Sequence, residues 1–255
     1  ISYFKDQEKI IANKEVELKD LELETIIRGD EISYFKKEEK IIANKEVELI
    51  DNKKDIFINT DRITYLKQKE KIFTEGQTIA SIHSKYNFFS KNVTFLKNEM
   101  ELSSSYKTII TDNTGSSYEV ENFNFQIKKE FLKASNISVI QNTAAKIGES
   151  ERLFFESGFF DLKNKNFKTG SAKINLKKDT FDKSENDPRI YGASASKKNN
   201  ITSIEKAVFT SCKKTDKCPP WQLEASKIEH DKDKKKLIYN DAVLKVYNFP
   251  IFYFP

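Results

Sequence analysis

Apolar and polar positions alternate with period two over many short stretches of the chain. In KIIANKEVEL, Ile41, Ala43, Val47 and Leu49 fall on one side and Asn44, Glu46 and Glu48 on the other, the spacing of a strand with one buried face. The alternation returns in Ile56 and Ile58 against Phe57 and Asn59, in Phe123, Phe125 and Ile127, in Ile137 and Val139, in Ile174 and Leu176, and in Trp221, Leu223 and Ala225. An amphipathic helix is the rival reading, because Ile41, Ile42 and Leu49 also share a helical face and Lys and Glu are good helix formers. Enrichment in β-branched and aromatic residues, the lack of a sustained i, i+3, i+4 stripe, and turn-like tracts (KKEEK, KQKEK, DNTGSS, KNKN, DKDKK) favour strands. About twenty short strands are expected, in an all-β fold.

A repeat organises the first half. Residues 1–20, ISYFKDQEKIIANKEVELKD, recur as ISYFKKEEKIIANKEVELID at 32–51, 31 residues on. A decayed third copy aligns Ile63, Tyr65, Lys67, Glu70, Lys71 and Ile72 with Ile32, Tyr34, Lys36, Glu39, Lys40 and Ile41, and a fourth trace, VTFLKNEMEL, opens at Val93. A fixed period of this length marks units that bury their apolar faces only by stacking on their neighbours. A barrel, a β-helix and an elongated two-sheet roll all fit; a compact closed sandwich does not. A roll has an apolar inner surface and two edge strands able to accept a strand from another protein.

Composition changes this picture little. The 255 residues carry 44 basic and 39 acidic side chains, a net +5, and only Arg28, Arg62, Arg152 and Arg189 are arginines, leaving 44 − 4 = 40 lysines. Lysine and glutamate alternate in sign instead of gathering on one face, which argues against nucleic acid as a partner. His83 and His230 stand alone, without ligand spacing, so neither a metal nor another cofactor is expected. No nucleophile triad, paired-carboxylate motif or phosphate loop is visible, and an enzyme is not expected. No apolar run is long enough for a membrane-spanning helix, and Ile1 opens in mid-pattern without the sections of a signal peptide, as in a portion of a longer protein.

The most informative text runs from 207 to 255. It contains an aromatic-Thr-x-Cys element (Phe209, Thr210, Cys212), a Trp-Gln strand (Trp221, Gln222) leading to Ala-Ser-x-Ile-x-x-Asp (Ala225 to Asp231), then Asn-Asp-Ala-x-Leu (Asn240 to Leu244) and Pro-Ile-Phe-Tyr-x-Pro (Pro250 to Pro255). In this combination the segment resembles the lipopolysaccharide-assembly protein family LptD (organic solvent tolerance protein) at the junction of its periplasmic domain and its outer-membrane barrel. The upstream repeats resemble the OstA-like units shared by LptD, LptA and LptC.

The resemblance implies one periplasmic β-jellyroll over 1–255, on the periplasmic side of the outer membrane of a Gram-negative cell, with 207–255 leading to a barrel outside this sequence. It implies receipt of lipopolysaccharide from an LptA bridge, paired edge to edge at the N-terminal end, and delivery to the barrel, through which LptE would be a further partner. The alternatives are a stand-alone bridge of the LptA or LptC kind, which should lack the Cys segment and the final PIFYFP, and a structural β-solenoid without lipid cargo. Candidate lipid contacts are Ile41, Val47, Leu49, Ile63, Tyr65, Phe95, Phe123, Phe125, Ile127 and Ile137; the same residues could equally close an ordinary core. Cys212 and Cys218 enclose KKTDK, not the CxxC of a redox motif, and disulfide bonding is the expectation. By the resemblance Cys212 would pair with a barrel cysteine, whereas Cys218 offers a local partner.

Overall fold

The computed structural model describes residues 1–20, 24–140, 151–176, 186–213, 215, 220–231, 233–234 and 236–255. It is all-β, with 22 strands among the described residues and three single turns of 3-10 helix. The backbone divides into two compact units: Ile1–Asn113 with Val120–Lys128, and Thr114–Glu119 with Lys129–Pro255.

In the first unit, β1 (Ser2–Phe4), β2 (Lys9–Asp20), β3 (Thr25–Phe35), β4 (Lys40–Asp51), β5 (Ile56–Leu66) and β6 (Lys71–Ile82) pair antiparallel in succession. Strands β2 to β6 are longer than the short alternating stretches of the sequence, and each is interrupted at its middle. The register slips between Asn13 and Val16, Arg28 and Glu31, Asn44 and Val47, and Thr60 and Arg62. A bulge at the same level in neighbouring strands bends each of them. The repeated NKE tracts form it, with Lys14, Glu15, Lys45 and Glu46 at positive φ. In β6 the bend falls at Gly76, φ +92, where a Cβ would lie 1.9 Å from Asp61 Oδ2; only glycine fits.

Beyond the bend the two halves of β6 take different partners. Gln77–Ile82 pairs β7 (Tyr86–Lys91), which pairs β10 (Thr108–Asp112); Lys71–Phe73 pairs β8 (Thr94–Leu96), which pairs β9 (Glu101–Ser104), which pairs β11 (Ser117–Gln126). The two branches face each other. Tyr86 and Phe88 of β7 lie 5.4 and 5.2 Å, ring to ring, from Phe125 of β11, and Phe88 stacks on Phe123 at 5.5 Å. The first unit is thus a two-sheet roll made by folding long strands across their middles, and its inner faces bury Ile41, Ala43, Val47, Leu49, Ile58, Ile63 and Ile72. Burial of each large aliphatic side chain stabilises the fold by about 1.5–3 kcal/mol.

The second unit repeats the branching. β12 (Phe131–Ile140) pairs β13 (Arg152–Asp161), whose halves pair β14 (Asn166–Thr169) and β15 (Ala172–Asn175). Those continue to β17 (Ser194–Lys198) and β16 (Arg189–Gly192), both of which rejoin β18 (Ile201–Thr210). β18 pairs β19 (Trp221–Asp231), which divides between β20 (Lys236–Asn240) and β21 (Ala242–Val246), and β22 (Phe249–Phe254) pairs β21.

Candidate functional site

The 31-residue period stacks its turns. Glu8, Glu39 and Glu70 each close a turn in the left-handed conformation, and Met100 does so in the fourth copy. The carbonyl of each accepts a backbone N–H one repeat later: Lys36 to Glu8 at 3.0 Å, Lys67 to Glu39 at 3.0 Å, Lys97 to Glu70 at 2.9 Å and Ile127 to Met100 at 2.9 Å. A second column of turns forms at the other strand ends, where Asn52 N–H reaches Glu24 O, His83 N–H reaches Asp55 O and Asn113 N–H reaches Lys85 O. Because every long strand is folded at its bulge, the two columns come together, and their meeting line is a seam along the roll.

Side chains stitch that seam at repeat spacing. Lys67 Nζ lies 2.9 Å from Asp20 Oδ2, and one repeat on Lys97 Nζ lies 3.2 Å from Asp51 Oδ2, with both partners of the second pair only 1% exposed. Lys97 also donates to Thr25 Oγ1 at 2.7 Å and stands 5.5 Å from the centre of the Tyr65 ring, while Glu70 Oε2 lies 4.0 Å away. The Asp51 contact is an ion pair without a hydrogen bond at Oδ2; Oδ1 accepts the backbone N–H of Lys54 at 3.0 Å. Lys54 crosses the seam in the opposite direction, donating from Nζ to Lys97 O at 3.0 Å. Burial, then the nearby charge of Lys97, holds the Lys54 ammonium below its ordinary pKa, against Asp51 and Glu70. Burial and the hydrogen bond from Tyr65 OH to Glu70, 2.8 Å, push the Tyr65 phenol well above its ordinary value.

Behind the seam lies the apolar interior, and all ten candidate lipid contacts are buried. Nine belong to the first unit: Ile41, Val47, Leu49, Ile63, Tyr65, Phe95, Phe123, Phe125 and Ile127; Ile137 belongs to the second. They pack against one another's neighbours instead of lining an open channel, as with Phe125 between Tyr86 and Phe88. Access to them requires the two halves to part. The seam residues escaped the sequence reading, yet their signal was present: Lys36, Lys67 and Lys97 share one repeat position, and Asp20 and Asp51 share another.

The 207–255 segment maps onto joints of the second unit. Phe209 meets Trp221 edge to face at 5.7 Å, and Thr210 Oγ1 donates to Trp221 O at 2.8 Å. Arg189, 6% exposed, donates to Cys212 O at 2.5 Å and to Asp187 O at 2.9 Å, fixing the backbone at the cysteine. Cys212 is half-buried and free among the described residues, its Sγ 3.7 Å from Trp221 O; Cys218 lies outside the described residues. Asp241 accepts from Ser226 Oγ at 2.9 Å and Tyr253 OH at 3.0 Å, tying β19, β21 and β22. Phe249, Ile251, Phe252, Tyr253 and Phe254 of β22 are all more than half exposed. Among the described residues no group of three or more His, Cys, Asp or Glu is placed to hold a metal ion. No protein-family model matches the chain, and no curated protein matches it.

Proposed function

We propose that the chain is a lipid-carrying periplasmic domain that receives lipopolysaccharide from an LptA-like bridge and passes it to an outer-membrane barrel of the LptD kind. The observation that carries the reading is the repeat-built roll, whose buried apolar rows run behind a seam held by side chains. Lipopolysaccharide bears several acyl chains, and each methylene removed from water is worth about 0.8 kcal/mol, so one chain of about a dozen carbons left exposed costs on the order of 10 kcal/mol. Rows such as Val47, Leu49, Ile63, Phe95 and Phe125 offer near-equivalent apolar positions along the roll. Once the seam has parted, a lipid can step from one to the next without breaking a further polar contact. The text from Phe209 to Pro255 supports placement next to a barrel, and β22, with its apolar side chains in solvent, suits a strand that continues into one.

A photoreactive phenylalanine analogue at Phe125, in protein whose folding is checked by circular dichroism, tests the reading in cells that make lipopolysaccharide. An adduct of protein with lipopolysaccharide at Phe125, Phe95 and Leu49, and none at exposed Phe159, is expected. Absence of adduct at all three interior positions, in protein that is folded, sinks it.

A further inference from the structure

One cleft in the first unit is lined mainly by basic side chains. Lys53, Lys54, Lys97 and Lys128 line a cavity of about 560 Å³ together with His83, with Asp55 the one carboxylate among the described lining residues and Met100 its apolar wall. The four lysines come from three separate turns that the seam brings together. Lys53 and Lys54 sit in the turn between β4 and β5, Lys97 follows β8, and Lys128 stands in the 3-10 turn after β11. Lys97 is buried and spoken for by Asp51 and Thr25, but Lys53 and Lys128 are exposed at the rim. Lys54 feels the like charges of Lys97 and, least, of Lys128, partly offset by Asp51 and Glu70. Ammonium groups converging on one concave site repel each other unless an anion enters, and lysine is a strong phosphate binder through charge-assisted hydrogen bonds.

We propose that this cleft is a binding site for a phosphate-bearing group at the mouth of the seam. Its position fits a ligand with two parts. A phosphate held by Lys53, Lys54 and Lys128 stands beside Met100, 6% exposed, which belongs to the buried interior. Acyl chains attached to the same headgroup therefore enter the roll where the halves meet. The cleft does not follow the 31-residue period, since one repeat after Lys53 and Lys54 come Ser84 and Lys85. It is one station on the roll, and a headgroup paused there would register the lipid. That the phosphate arrives on a lipid rests on the proposed transport function; that the cleft takes a phosphate does not.

The test uses the full chain, and the variant Lys53→Glu/Lys128→Glu, which alters two exposed side chains. The probes are a bis-phosphorylated lipid A analogue, the same lipid without phosphates, and inorganic pyrophosphate. The variant should bind the phosphorylated lipid about 10-fold more weakly, while its affinity for the phosphate-free lipid stays within about twofold. Equal affinity of variant and parent for the phosphorylated lipid overturns the site and leaves the lipid reading standing. Pyrophosphate binding that the variant loses, with no uptake of the phosphate-free lipid, supports the site as a free-anion site and overturns the lipid reading. No binding of any probe overturns both.

Discussion

Lys97 and Asp51 show how much one pair can decide. A lysine and an aspartate, each 1% exposed, are costly to desolvate, and their attraction offsets that cost only while both remain. Lys97→Ala leaves Asp51 charged and buried and is expected to cost about 3 kcal/mol in urea denaturation. The double variant Lys97→Met/Asp51→Leu should recover most of that loss; a double variant as unstable as the sum of the two single ones contradicts the pairing. Lys54 gives a signature in pH. Its pKa is lowered on folding, so the unfolded chain holds the proton more tightly and stability rises with pH in the range below the ordinary lysine value of about 10.4. The parent should gain in melting temperature relative to Lys54→Met as the pH rises toward the ordinary lysine value of about 10.4, and parallel curves for the two proteins would remove Lys54 from the seam.

At the scale of elements, the repeat was legible and the bend was not. Alternation at Ile41, Ala43, Val47 and Leu49 predicts inward-facing side chains, and the structure buries all four. The bulge that lets them line both halves of a folded strand has no apolar signal, because Asn44, Lys45 and Glu46 read as ordinary solvated residues. The turns were legible as charged tracts, but not the left-handed geometry of Glu8, Glu39 and Glu70, which glycine would normally mark. Two consequences can be measured. Glu39→Gly removes the strain of a side chain at φ 45 and should stabilise the fold by about 0.5–1 kcal/mol. Gly76→Ala forces a Cβ into Asp61 at φ +92 and should destabilise it by at least about 1–3 kcal/mol. A neutral Gly76→Ala in thermal denaturation would mean that the bulge column does not hold β6 as described.

For the whole molecule, stacking of near-identical units means that each contributes mainly its own contacts and those with its neighbours. A chain starting at Ile32 opens on ISYFKKEEK, as the parent opens on ISYFKDQEK, and presents the same strand edge. Removal of residues 1–31 should leave a β-rich circular dichroism spectrum and cooperative unfolding at lower total stability. The same logic explains why function was harder to read than fold. The ten apolar candidates, from Ile41 to Ile137, carry the same signature whether they close a core or carry a lipid, since both require inward apolar rows. The feature that separates the two is whether the halves part at Lys67, Lys97, Asp20 and Asp51. The measurement that bears most directly on this is uptake of a fluorescent lipid A analogue by the purified chain in detergent-free buffer. Saturable uptake by a monodisperse protein, with probe emission shifted to that of an apolar environment, is the predicted result. A well-folded β protein that takes up no lipid at any concentration would contradict it and leave the roll as a scaffold.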